Sequence, residues 1–187
     1  LKIEPQTRGK GFEFVDAVVG GNVPGRFIPA VEKGVIETME RGILSGCKVV
    51  DVKVTIFDGS HHPVDSDDMS FKIAGSMGFK KGFLEARPIL LEPIYDLVVK
   101  IPDDCMGDVM GDLSSRRGKI LGMDSDGHFQ IIKAQIPLSE IYKYSSTLRS
   151  LTAGRGAYST KFRHYEEVPK EVEAKVVEEY KKSKLEE

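Results

Sequence analysis

The chain has 187 residues, 40% hydrophobic and 30% charged, with a formal net charge of -2. That length allows one domain or two small ones, and the balance is that of a globular chain rather than a disordered one. The charge excludes a general polyanion binder: the first 90 residues carry 12 basic and 12 acidic side chains and the other 97 carry 15 and 17, so any contact with nucleic acid has to come from local patches or shape.

LKIEP at the start reads as the end of a strand already under way, and the chain opens on Leu1 rather than Met, so a piece of something longer is expected. GFEFVDAVV (Gly11 to Val19) is rich in aromatic and β-branched residues and predicts a strand. GGNVPG (Gly20 to Gly25) breaks it. Val31, Val35, Met39 and Ile43 recur every four residues, an amphipathic helix closed by Gly42 and Gly46. In VVDVKVTIF, Val50, Val52, Val54 and Ile56 alternate with Asp51, Lys53 and Thr55, a half-buried strand turned by Asp58-Gly59. Asp65 and Asp68 form a capping-box-like pair for a helix from about Ser66, with Met69, Ile73 and Met77 as its apolar stripe.

After ARPILLEP the pattern restarts. Tyr95, Leu97, Val99 and Ile101 alternate, and Met106, Val109, Met110 and Leu113 follow helical spacing. Lys119 to Met123 and Phe129 to Ile136 read as strands around a DSDG turn. Ile141, Tyr142, Ser145 and Leu148 predict a helix capped by Ser139, and Tyr158, Thr160, Phe162 and His164 a further strand. This βαββαβ order is the ferredoxin-like motif. A last helix follows, its inner face Val172, Val176, Val177 and Tyr180. The fold class is therefore α+β, two small two-layer α/β domains at 1–90 and 91–187, the second ending in the C-terminal helix.

Two glycine-bearing loops, GGNVPG and DGSHHP, each join a strand to a helix, and at one end of a small domain they would make a tip. Neither carries a P-loop or a GxGxxG phosphate cradle. His61, His62, Asp65, Asp67 and Asp68 are residue types that hold zinc and similar ions. Adjacent histidines in a strand–helix loop rarely converge on one ion, and an exposed contact loop is the better reading. Arg116, Arg117 and Lys119 gather at a helix–strand junction, and Arg149 and Arg155 in a second basic stretch; each group either compensates a helix C-terminus or binds phosphate. Cys47 and Cys105 make no disulfide framework or zinc knuckle, fit a reducing compartment, and read as small buried residues. No run of about 18 apolar residues marks a membrane span, and no signal peptide is visible.

GGNVPGRFIPAVEKGV, VVDVKVTIFDGSHHPVDSDDMSFKIAGSM, LLEPIYDLVVKIPDDCMGDVMGDLSSRRGKI and PLSEIYKYSSTLRSLTAGRGAYSTKFRHYEEVP occur in the order of the C-terminal part of bacterial elongation factor G, which the chain resembles from about Gly11 to Pro169. The resemblance implies domains IV and V of that factor: an S5-like domain short of an N-terminal edge strand, then the ferredoxin-like one. It implies a cytoplasmic fragment of a translational GTPase that promotes tRNA–mRNA translocation on the ribosome and is monomeric in function. GTP and Mg would belong to the parent factor, with no catalytic residue, cofactor or metal in this chain. The implied decoding-site tip comprises Gly20, Gly21, Asn22, Val23, Pro24, Gly25, Arg26, His61, His62 and Asp65, with His62 at the family's tip histidine. Arg116, Arg117, Lys119, Arg149 and Arg155 are candidates for ribosomal RNA near the large-subunit GTPase-associated region. The family's first tip loop usually reads Gly-Gly-Val-Ile-Pro, where this chain has Asn22, and its second carries Tyr before the histidine, where this chain has His61. Those departures leave a paralogue specialised for ribosome recycling as the alternative. From another class, a metal-dependent enzyme would use His61, His62 and the acidic run.

Overall fold

The computed structural model describes residues 1–185. The chain falls into two compact units: Leu1–Leu90 together with the segment from Pro169 onward, and Leu91–Val168.

In the first unit, β1 (Lys2–Pro5), β2 (Phe12–Asp16) and β3 (Val52–Ile56) form a sheet in the order β1-β3-β2. β1 runs antiparallel to β3, and β2 parallel to it. The parallel pair requires a crossover, supplied by α1 (Ile28–Arg41). α1 buries Val31, Val35 and Met39 as its spacing predicts, and ends at Gly42, while Ile43 lies beyond it. β3 buries Val52, Val54 and Ile56; Val50 lies outside the strand, exposed, because Asp51 turns the chain with φ 57° and accepts from the backbone N–H of Gly9 and Gly11. β1 and β2 are the two edges of this sheet.

α2 (Asp68–Glu85) departs from expectation twice. Its cap is Asp67, extended at φ -133° and ψ 174°, whose carboxylate accepts from the Ser70 N–H at 2.7 Å. Asp65 is not the cap, because it faces His62. Nor is Met69–Ile73–Met77 the buried stripe. Phe71, Gly75 and Phe79 are buried instead. Both series have four-residue spacing, so spacing alone cannot choose. The second wins because its aromatic rings bury more apolar area and its glycine lets α1 close in. A Cβ on Gly34 would sit 2.1 Å from the Lys72 carbonyl oxygen, and one on Gly75 2.7 Å from that of Val31. Two apolar groups fill the space between helices and sheet: one around Val35, Val54 and Phe79, the other around Phe27, Ile56 and Phe71, where the rings of Phe27 and Phe71 stack at 4.5 Å.

The second unit is an antiparallel sheet in the order β5-β6-β4-β7. β4 (Leu91–Pro102) leads into α3 (Met106–Ser115); β5 (Lys119–Asp126) and β6 (Phe129–Pro137) form the hairpin. β5 runs on to Asp126, further than expected, so the turn falls at Gly127-His128. The helix expected across Ile141 to Leu148 is two pieces, α4 (Leu138–Ile141) and α5 (Tyr144–Leu151). Lys143 breaks it at φ 58°. The break leaves Tyr142 exposed and turns Tyr144 fully into the core, under Arg116 and edge-on to Tyr158. Ser139 is no cap; its hydroxyl accepts from Arg117. β7 (Ala157–Glu167) closes the βαββαβ order, and Leu97, Val99, Ile101, Val109, Leu113, Ile132, Ile136 and Leu148 complete the core.

α6 (Lys170–Ser183) half-buries Val172, Val176, Val177 and Tyr180, the face read from the sequence. It groups with the first unit, however, and not with 91–168 as the sequence division had it. The Tyr180 ring lies so close over Gly46 that a Cβ there would meet it at 2.6 Å. Cys105 is buried and Cys47, against expectation, exposed, because it lies in the loop after α1.

Candidate functional site

The loops 20–25 and 57–66 lie together at one end of the first unit, and specific bonds hold them. Asn22 Nδ2 donates to Asp58 Oδ1 at 2.9 Å, and His61 Nδ1 lies 3.2 Å from the Asn22 carbonyl oxygen. Beneath these bonds Val23 is buried, with Gly59 packed so tightly on it that a Cβ would stand 2.6 Å from Val23 Cγ2. Gly20 and Gly21 take φ 76° and 72°, the left-handed region that a side chain resists. The Asn22 amide, then the Gly59 N–H, hold the Asp58 carboxyl below its usual range. Pro24 and Gly25 lead into a single 3-10 turn, Gly25–Phe27, from which Arg26 lies 4.6 Å over the Phe27 ring.

His62 stands at the outer part of the second loop, its side chain 65% exposed. Its backbone N–H donates to Ser66 Oγ and its carbonyl accepts from the Ser66 N–H, a closed turn that presents the ring. Nδ1 lies 2.9 Å from Asp65 Oδ2 and within 3.4 Å of the Val64 and Asp65 backbone nitrogens. Nδ1 is thus engaged locally, which leaves Nε2 as the ring nitrogen for an outside partner.

The acidic and imidazole groups of this loop are divided, not convergent. Asp58 serves Asn22, His61 the Asn22 carbonyl, Asp65 His62, and Asp67 the Ser70 N–H and hydroxyl. Among the described residues, no three His, Cys, Asp or Glu side chains are grouped to hold a metal ion. The metal-enzyme alternative therefore loses its ligand set. Beside the tip, a groove of about 430 Å³ between α1 and α2 is lined by Arg26, Pro29, Ala30, Lys33, Asp68, Met69 and Lys72; sequence reasoning missed Lys33 and Lys72, which only the helix crossing brings to Arg26.

The five basic candidates of the second unit separate into two kinds. Arg116 donates to Asp112 Oδ2 at 2.9 Å, the Glu140 carbonyl at 2.8 Å and Thr147 Oγ1 at 3.0 Å. Arg117 forks onto both Glu92 oxygens at 2.7 and 2.9 Å and gives its Nε to Glu140 at 3.0 Å. Glu92, then Glu140, raise its pKa further above the usual guanidinium range. Arg155 joins Asp104 at 2.8 Å and the Thr152 carbonyl at 3.2 Å. Lys119 and Arg149 are exposed. No local signal in the sequence points to the Glu92 and Glu140 partners, 25 and 23 residues from Arg117.

A three-stranded α/β unit with a clasped two-loop tip, followed by a ferredoxin-like unit with internally braced arginines, defines a two-unit α+β chain whose exposed groups suit contact rather than catalysis. The profile described as Elongation factor G, domain IV matches residues 1–87, and that of the Elongation factor G C-terminus residues 89–176. Elongation factor G of Aquifex pyrophilus is 53% identical over 177 residues, covering 95% of this chain and 25% of that protein. A crystal structure of a Thermus thermophilus protein superimposes with a TM-score of 0.78 at 41% identity, covering 96% of this chain and 27% of that one. The chain belongs to the elongation factor G family, as its C-terminal part, and spans about a quarter of the length of the relatives it matches.

Proposed function

We propose that this chain is the ribosome-contacting C-terminal portion of a translational GTPase that promotes tRNA–mRNA translocation. GTP and Mg²⁺ belong to the parent factor, and the work of this portion is contact rather than nucleotide chemistry. Residues 1–90 act as the domain IV-like arm, whose tip of Gly20, Gly21, Asn22, Val23, Pro24, Gly25, Arg26, His61, His62 and Asp65 meets the tRNA–mRNA duplex at the decoding site. Residues 91–168 act as the domain V-like body toward large-subunit RNA, and the C-terminal helix, expected with them, packs with the first unit. The place of work is the cytoplasm, where a translation factor meets ribosomes.

The observation that carries this reading is the Asn22–Asp58 clasp, which joins two sequence-distant loops into one tip that leaves the His62 ring exposed. A preorganised tip loses little conformational entropy when it docks. Of the RNA candidates, Lys119 and Arg149 are the better placed, since Arg116 and Arg117 already have their guanidinium donors engaged. The test is His62→Ala in the full-length factor. Single-turnover translocation should slow by about one to two orders of magnitude, the loss of one hydrogen bond to a charged group, with GTP hydrolysis nearly unchanged. Equal loss of both rates, or of neither, removes His62 from this role.

A further inference from the structure

The groove beside the tip is built from the first turns of two helices. Pro29 and Ala30 line it from the start of α1, and Asp68 and Met69 from the start of α2. Each helix adds a basic side chain one turn further on, Lys33 four residues after Pro29 and Lys72 four after Asp68, and Arg26 enters from the 3-10 turn before α1. Residues four apart on a helix share a face. Three cations therefore line one groove, and Asp68 is the one carboxylate among its lining residues. Lys72 bridges to Glu37 of α1 at 2.7 Å and is 28% exposed. Arg26 and Lys33 are exposed, and among the described residues neither has an ion-pair or hydrogen-bond partner, Arg26 resting only on the Phe27 ring. The positive ends of both helix dipoles point the same way. Asp67 caps α2, but no side chain caps α1. One unpaired surface lysine is ordinary; two unpaired cations and a braced third in one concave place raise the local potential where an anion would sit.

We propose that this groove seats the sugar–phosphate backbone of an RNA strand, its phosphate oxygens accepting from Arg26, Lys33 and Lys72. The proposal rests on the tip-contact reading above and extends it along α1 and α2. Arg26 belongs to both tip and groove, which makes the two continuous. Phosphate contacts fix register and orientation and read no sequence, so the groove holds the arm on its RNA whatever codon lies at the tip. Lys33 and Lys72 are its new members, and the Glu37 bridge fixes Lys72 in place for the contact.

Equilibrium binding of the full-length factor to ribosomes, between about 50 and 200 mM salt, tests this. Lys33→Gln should weaken binding by roughly threefold to tenfold near 0.15 M salt and lower the slope of log affinity against log salt by about 0.7–0.9, equally for different codons. Lys33 is exposed, so the melting midpoint should stay where it is. Lys33→Arg keeps the charge and should restore both affinity and slope. Asp68→Asn removes the carboxylate that opposes a phosphate and should strengthen binding, which damage to the fold does not do. Unchanged binding in Lys33→Gln, a loss that Lys33→Arg does not repair, or weaker binding in Asp68→Asn overturns the proposal. A loss of affinity with an unchanged slope also overturns it and assigns the groove to a protein carboxylate, since release of condensed counterions is a property of nucleic acid. His62→Ala, measured beside these, separates the two readings: slowed translocation there with a silent Lys33→Gln removes the groove and leaves the tip.

Discussion

Asn22 and Asp58, 36 residues apart, share a hydrogen bond of 2.9 Å that ties the turn before α1 to the turn after β3. Neither residue is buried, and the bond lies directly over the buried Val23. Asn22→Ala should therefore loosen the tip without unfolding the unit. Amide hydrogen exchange at residues 20–25 and 58–62 is expected to rise by about threefold to tenfold, the worth of one ordinary hydrogen bond. The melting midpoint should barely move. Unchanged exchange would show that the buried Val23 and the His61 contact with the Asn22 carbonyl hold the tip without the clasp.

The same bond sets a pH dependence. The Asp58 carboxyl is depressed by the Asn22 amide and the Gly59 N–H. A depressed folded-state pKa means that its contribution is complete above the ordinary carboxylate value, about 3.9, and is lost as pH falls through the lowered value. The tip should keep its order from neutral pH down to about 4 and loosen only below it. The Asn22 side-chain NH₂ resonances, followed by NMR on acidification, report this. Loosening that begins near neutrality would contradict the assignment.

The crossing of α1 and α2 depends on Gly34, whose added Cβ would strike the Lys72 carbonyl at 2.1 Å. Alanine is the better helix former by about 1 kcal/mol, so helix propensity alone predicts a more stable Gly34→Ala chain. Overpacking predicts the reverse, a net loss of about 1–3 kcal/mol. Urea denaturation decides the sign, and an increase in stability would mean that the helices separate easily.

Arg117 and Arg149 should behave differently. Arg117→Ala leaves Glu92 and Glu140 without their fork, in a place where the three side chains are only 28%, 13% and 33% exposed. A loss of about 1–3 kcal/mol is expected, below the figure for a fully buried pair because water still reaches the site. Lysine should restore only part of it, having no planar fork. Arg149→Ala and Lys119→Ala should leave stability within about 0.5 kcal/mol. Both should lower affinity of the full-length factor for ribosomes and flatten its salt dependence by about one contact each. A stable Arg117→Ala chain, or Arg149→Ala with unchanged binding, would reverse these roles.

What the sequence disclosed depended on whether the signal was local. The alternation in β3 and β4 and the spacing in α1 and α3 lead straight to the buried Val52, Val54, Leu97, Val99, Val35 and Val109. Spacing failed on α2, where two apolar rows share one period and only the approach of α1 at Gly75 selects Phe71 and Phe79. It failed again at Lys143, whose left-handed backbone has no glycine or asparagine to announce it. The tip loops were legible as loops. Their bonding was not, because Asn22 meets Asp58, and Arg117 meets Glu92, only once the sheets have formed.

The return of α6 to the first unit makes the second unit an insertion: the chain leaves the first fold after Leu90 and rejoins it at Pro169. Emerging from a ribosome N-terminus first, such a chain has its S5-like sheet and both long helices available early, yet it cannot seat the Tyr180 ring over Gly46 until the whole ferredoxin-like unit has been made. Of these two units, the tip-bearing one thus starts before the other and finishes after it. A nick or premature stop after Val168 would spare the seven strands found among the described residues and still leave that unit without its closing helix, so damage after the second unit would be felt in the first.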